Sequence, residues 1–330
     1  MSETKQLNYA SAVNTALRRV LQELPEVLVF GEDVGKPGGV FGVTRGLRRS
    51  FGDRVFDTPI SESAILGGAL GAAMMGRRPI VEIMWADFAL VAFDQIVNQI
   101  ANTRYVSRGL LGAPLVIRTQ QGSGPGACAQ HSQSLEALFL HIPGIRVAIP
   151  STPQDAYEAI VAATYSDDPV VVIENRNIYH GEKVDVIVDR PAGPLGGSHT
   201  RRSGDDLTVV TWGSMTRVVE TAADMSGRDG IAVDVIELHW LNPLDLTAVL
   251  ASLARTGKLM LVHEANVTGG FGSEVIARVA EGGTRLSAPP VRLGLPDLRV
   301  PAAPTLARAV VPSADSVREA IGALHSSGLR

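Results

Sequence analysis

Apolar positions in the first half of the chain follow two alternating patterns. Ala10, Val13, Leu17, Val20 and Leu21 share one face at helical spacing. So do Ala89, Ala92, Phe93, Ile96, Val97 and Ile100, and again Ala156, Ile160 and Ala163. Between them lie short apolar runs at 27–30, 79–84, 115–117, 146–149 and 170–173, the first closed by Gly31. Such runs suit strands buried on both faces, and strands alternating with helices predict a parallel sheet covered on both sides. The pattern lapses over 181–206, where Pro191, Gly193, Pro194, Gly196 and Gly197 read as a linker. It resumes with strand runs at 207–211, 231–236 and 259–262, and helical stretches at 215–223, 244–254, 272–280 and 314–324. The expected fold class is α/β in two domains, each a mostly parallel sheet flanked by helices. The first spans 1–180, the linker 181–206 and the second 207–330.

Composition narrows the partners. The 330 residues leave room for two cores. Charged residues are only 19% of the chain, which suits a protein that hides surface in a partner subunit. A net charge of −4 gives no reason to expect nucleic acid or an anionic membrane. Cys128 is the single cysteine, so no internal disulfide forms, and no Cys/His cluster has zinc-site spacing. The N-terminus carries no apolar signal core, and no apolar run approaches the ~20 residues that span a bilayer. The expected location is the cytoplasm, away from membrane.

Candidate chemistry sits where open α/β sheets place it, beyond the carboxyl ends of strands. Gly31-Glu32-Asp33-Val34-Gly35-Lys36 lacks the spacing of a phosphate loop and puts two acids where phosphate would lie. Gly122-Ser123-Gly124-Pro125-Gly126 follows a strand, but Pro125 removes a backbone donor. Glu62 has two readings. Ser61 is a natural helix cap, and an acid in the first turn favours the helix dipole by roughly 0.3–1 kcal/mol. Alternatively Ile60, Ala64, Ile65 and Leu66 desolvate the carboxyl and make it a strong hydrogen-bonding acid. Gly67, Gly68, Gly71 and Gly76 in the following helix cost propensity, as expected where another backbone comes close. His131 also has two readings, a surface or capping residue at a helix entry, or an acid/base in a polar cluster past a strand end.

Several motifs occur in order along nearly the whole chain. They are Gly31-Glu32-Asp33-Val34, Gly38-Gly39-Val40-Phe41, Asp57-Thr58-Pro59-Ile60-Ser61-Glu62 and Phe93-Asp94-Gln95-Ile96-Val97-Asn98-Gln99, followed by His131-Ser132-Gln133-Ser134, Pro143-Gly144 and Thr268-Gly269-Gly270-Phe271-Gly272. In these the chain resembles the β subunit of the thiamine-diphosphate-dependent decarboxylating component of 2-oxo acid dehydrogenase complexes. That family includes pyruvate, branched-chain and acetoin dehydrogenases, within the transketolase-like superfamily. The resemblance implies a pyrimidine-binding domain followed by a transketolase C-terminal domain. It also implies an α2β2 heterotetramer whose α subunit holds magnesium and the diphosphate, so that the chain acts only with α. By position, Glu62 matches the glutamate that hydrogen-bonds the aminopyrimidine ring. His131 matches a histidine near the reacting carbons that serves proton handling or acyl transfer to a lipoyl group. Ile60, Met84 and Phe88 match apolar positions lining the pyrimidine pocket.

The implied reaction is decarboxylation of a 2-oxo acid, or cleavage of acetoin, with acyl transfer to lipoamide on an acyltransferase partner. The alternative is a transketolase-like half-enzyme that passes a two-carbon or acyl unit to another acceptor. The family's structural potassium loop corresponds to Leu115, Ala163, Thr164, Ser166 and Asp168, with Ser166 replacing an Asp and Asp168 an Asn. Met84-Trp85 stands where many relatives have Gln-Phe, and the tail from Arg299 departs from the pattern.

Overall fold

The structure, a computed structural model, describes residues 2–124 and 126–327. Pro125, read above as removing a donor, lies outside them. The chain forms two units, one of Met1–Gln121 with Leu138–Leu195 and the other of Gly122–Ala137 with Gly196–Arg330.

In the first unit β1 (Thr4–Leu7) leads to α1 (Tyr9–Glu23), whose N-cap Asn8 accepts the Ser11 N–H at 3.0 Å. The stripe Ala10, Val13, Leu17, Val20 and Leu21 is buried, as its spacing requires. There follow β2 (Val27–Gly31), α2 (Leu47–Phe51), β3 (Val55–Asp57), α3 (Glu62–Met74), β4 (Arg78–Ile83), α4 (Ala86–Ala89) and α5 (Thr103–Val106). Then come β5 (Val116–Gln121), the short α6 (Glu136–Leu140), β6 (Arg146–Ala148), α7 (Pro153–Tyr165) and β7 (Val170–Asn175). A capping box between Thr152 and Asp155, with Pro153 at the first helical position, fixes the start of α7. Strands β2 to β7 pair in parallel in the order β6-β7-β5-β4-β2-β3. The helix read over 89–100 is broken into α4, a 3₁₀ turn at Leu90–Ala92 and a π-helical turn at Gln95–Ile100. Ala89, Ala92, Ile96 and Ile100 are buried all the same.

The proline- and glycine-rich stretch 181–206 carries two strands, and the division between the units falls between Leu195 and Gly196. β8 (Val184–Ile187) pairs antiparallel with β1. β9 (His199–Arg202) belongs to the second unit. That unit continues with β10 (Leu207–Thr211), α8 (Met215–Arg228), β11 (Val233–Glu237), β12 (Trp240–Asn242), α9 (Thr247–Thr256), β13 (Leu259–Asn266) and α10 (Gly272–Glu281). It ends with β14 (Val291–Leu295), α11 (Pro304–Val310) and α12 (Ala314–Ser326). Its sheet runs β14-β13-β10-β11-β9, parallel except for β9. Val209, Val219, Val235, Val262 and Ile321 lie in its core. Gly122–Ala137, which lies between β5 and β6 in sequence, groups with this second unit.

Candidate active site

The carboxyl ends of β2, β3 and β4 present the first group of residues. β2 closes at Gly31, with φ of +153°, where a Cβ would sit 2.5 Å from the Glu82 carbonyl oxygen of β4. Glycine alone turns out of the sheet there, and Glu32 follows it, half-buried. Beyond β3 comes Ile60, 82% exposed, and then Glu62, the first residue of α3. Ser61 occupies the cap position but makes no capping bond with its side chain. Glu62 is only 8% exposed, and its carboxylate has no hydrogen bond or ion pair among the described residues. The Glu32 carboxyl lies above its ordinary range, first because of burial and then because of the negative charges of Glu62 and Asp33.

Beyond β4 come Met84 and Phe88, both half-buried, with Trp85 between them in the left-handed region at φ +72°. A bulky residue holds that conformation only when its surroundings over-determine it. The Trp85 N–H donates to Gln120 Oε1 at 3.3 Å, the Phe41 ring meets its indole edge-on at 5.2 Å, and the Arg176 guanidinium lies 4.7 Å from its ring centre. Behind these residues β4, β5 and β7 share a buried charge network. Arg118 donates to Glu82 at 2.7 Å and to both oxygens of Glu174 at 2.7 and 2.9 Å, and the Tyr179 hydroxyl donates to Glu174 at 2.5 Å. Burial alone would pull the Arg118 guanidinium down, but Glu174 and Glu82 outweigh it and hold it above its ordinary value. Burial raises the Glu82 carboxyl, against the pull of Arg118.

His131 is half-buried in the irregular part of Gly122–Ala137, and so in the second unit. Ile60, Glu62, Met84 and Phe88 all belong to the first. The sequence reading assigned no site role to Glu32, Trp85 or the Arg118 network. Glu32 carried a signal, an acid directly after the glycine that ends a strand. Trp85 and Arg118 carried none, because their conformation and pairing come from distant strands.

The residues of the expected potassium loop do converge, around an arginine. Arg78 donates to the Thr164 and Ser166 carbonyl oxygens at 3.0 and 2.8 Å and pairs with Asp167 at 2.5 Å. The Leu115 carbonyl accepts the Val170 N–H, that of Ala163 the Ser166 N–H, and that of Asp168 the Ser166 hydroxyl. The Asp168 carboxylate is held by Arg104 at 2.9 Å and Arg146 at 3.1 Å. The Thr164 and Ser166 carbonyls and the Asp168 carboxylate thus already face guanidinium groups, and the Leu115, Ala163 and Asp168 carbonyls accept from chain donors.

Two family models cover the chain, "Transketolase, pyrimidine binding domain" over residues 5–181 and "Transketolase, C-terminal domain" over 196–317. These define a transketolase-like class, and the fold agrees. A solved "Split gene transketolase, inactive beta4 tetramer" superposes with a TM-score of 0.79 over 98% of this chain and all of that one, at 24% identity. Identity is higher among dehydrogenase subunits. The 2-oxoisovalerate dehydrogenase subunit beta of Bacillus subtilis is 40% identical over 96% of this chain and 97% of its own. The pyruvate dehydrogenase E1 component subunit beta of Acholeplasma laidlawii is 42% identical over 88% and 90%. The acetoin:2,6-dichlorophenolindophenol oxidoreductase subunit beta of Cupriavidus necator is 40% identical over 96% of each. The chain belongs to the β subunits of the 2-oxo acid and acetoin dehydrogenases.

Proposed function

We propose that this chain, joined to an α subunit in an α2β2 heterotetramer, converts a 2-oxo acid or acetoin and passes the acyl group to a lipoyl-bearing acyltransferase in the cytoplasm. The observation that carries this reading is Glu62, buried to 8% exposure and without a partner among the described residues. A carboxyl so nearly closed off, and unpaired among the described residues, is placed to take a partner from outside the chain, and the pyrimidine ring of thiamine diphosphate is such a group. Bound thiamine diphosphate supplies a nucleophilic carbon and an electron sink for cleaving the bond beside a carbonyl. Glu62 would share a proton with a ring nitrogen of the bound cofactor, and desolvation would strengthen that bond. Ile60, Met84 and Phe88 offer the ring an apolar surface. His131 handles protons at the reacting carbons or assists transfer to the lipoyl group. The α subunit holds magnesium and the diphosphate. Potassium is left out of this reading, since Arg78, Arg104 and Arg146 already supply positive charge at that loop.

The transketolase-like alternative is not favoured. The split-gene transketolase shares this fold at 24% identity, whereas dehydrogenase subunits reach 40–42%. Glu62→Ala, assembled with its α subunit, is expected to slow hydrogen–deuterium exchange at the thiazolium carbon by roughly 100-fold or more while the assembly stays intact. Exchange at the wild-type rate would sink the assignment. Assay of the wild-type assembly against 2-oxo acids and acetoin, with a lipoyl domain as acceptor, tests the reaction class.

A further inference from the structure

Among its described residues the segment that carries His131 has no strand or helix of its own before α6, yet three side chains of the second unit hold it. At its start Glu264, 6% exposed near the end of β13, accepts from the Ser123 N–H at 2.5 Å and the Ser123 hydroxyl at 2.7 Å. The other Glu264 oxygen accepts from the Ser214 hydroxyl at 2.7 Å, which fixes the carboxylate from below. At the far end Trp212, directly after β10, donates its indole N–H at 3.0 Å to Glu136, which is fully buried. Nearer His131, Arg299 donates to the Gln133 side chain.

The Trp212 ring is itself immobilised. His263 stacks on it with centroids 5.3 Å apart and planes 14° from parallel, and Phe271 meets it edge-on at 6.1 Å. Close packing around His263 depends on glycine, since a Cβ at Gly270 or Gly272 would lie 2.8 or 2.9 Å from the His263 ring. Two parallel strands of the second sheet thus end in side chains that grip the two ends of one loop. A loop with several glycines has many conformations to lose, and each buried bond at its ends removes some of them in advance.

We propose that Glu264 and Trp212 are positioning residues for His131, and that the C-terminal unit thereby serves the chemistry rather than the fold alone. This rests on the reading of His131 given above. The test uses the assembled α and β subunits, whichever of pyruvate, 2-oxoisovalerate or acetoin supports turnover, and a free lipoyl domain. Trp212→Phe keeps the stacked ring and loses the N–H. Glu264→Ala removes both bonds to Ser123 and leaves that of Trp212 to Glu136, and Glu264→Gln restores an acceptor for Ser123. We expect Trp212→Phe and Glu264→Ala each to lower kcat for reductive acylation about tenfold, with KM for the lipoyl domain within about twofold and Glu264→Gln recovering most of the loss. Thiazolium hydrogen–deuterium exchange should stay at the wild-type rate. Combined with His131→Ala, either variant should add less than about twofold to the loss, because all act through one group.

Wild-type acylation in both variants beside a slow His131→Ala enzyme overturns the positioning proposal alone. So does a full additional loss in the double variants, or a fall in thiazolium exchange, which would mark a merely structural effect. Wild-type acylation by His131→Ala overturns the reading of His131 itself, and this proposal with it.

Discussion

A carboxylate at the first turn of a helix ordinarily faces water and needs no explanation. Glu62 differs because the residues after β3 fold it inward while nothing among the described residues donates to it. The same logic, inverted, applies to His263. Its ring is buried, Nδ1–H donates to the Ala265 carbonyl at 3.1 Å, and Nε2 has no partner among the described residues. Burial chiefly, helped by the charge of Arg292, lowers its pKa from 6.5 to about 4. The ring is therefore neutral in the folded chain. Above pH 6.5 both folded and unfolded chains hold it neutral, so no stability difference arises. As pH falls from 6.5 toward 4 the unfolded chain binds a proton that the folded chain refuses. That window should cost up to about 3 kcal/mol of stability. Urea titrations of wild type and His263→Gln at a series of pH values should show the gap between them narrowing across it. A gap that stays constant with pH would mean the ring does not titrate in this way.

At the scale of elements, α3 shows how a local rule needs tertiary context. Its glycines lower helix propensity, and on sequence grounds they announce a close neighbour. Among the described residues, apart from the chain neighbours and the helix's own backbone, no atom lies within 4 Å of a Cβ built at Gly67, Gly68 or Gly71. Gly67→Ala therefore gains propensity with no clash and should stabilise the chain by about 0.5–1 kcal/mol, seen as a higher Tm of the purified protein. A lower Tm would show that this face is already covered in that preparation. The interrupted stretch after β4 gives the opposite lesson. Its apolar spacing was legible, and four of the positions it names, Ala89, Ala92, Ile96 and Ile100, are buried, while Phe93 and Val97 are half-buried. The 3₁₀ and π turns were not legible, since they depend on how the chain leaves the strained Trp85. The Arg118 network was hidden for a similar reason. Glu82 and Arg118 pair across strands 36 residues apart, and Arg118 and Glu174 across 56.

At the scale of the whole molecule the ionic requirement is open to test. Because guanidinium groups occupy the loop expected to take potassium, exchanging potassium for sodium at constant ionic strength should leave the Tm of the assembled enzyme unchanged. Arg78→Ala, which strands the Thr164 and Ser166 carbonyls and Asp167, should lower stability by about 1–3 kcal/mol. A Tm that rises specifically with potassium would overturn this. No helix among the described residues is long and apolar enough to cross a membrane. The sequence by itself determined the α/β class, most of the sheet-forming runs and the identity of Glu62 and His131 as candidates. Those rest on periodicity and on side chains that chemistry needs, and both are local properties. Only the tertiary structure decided that Glu62 meets no partner among the described residues, that arginines pair with residues of the expected cation loop, and that the His131 segment groups with the second unit. Each of these depends on strands far apart in sequence, and no local pattern records which distant group a buried charge or an irregular loop will meet.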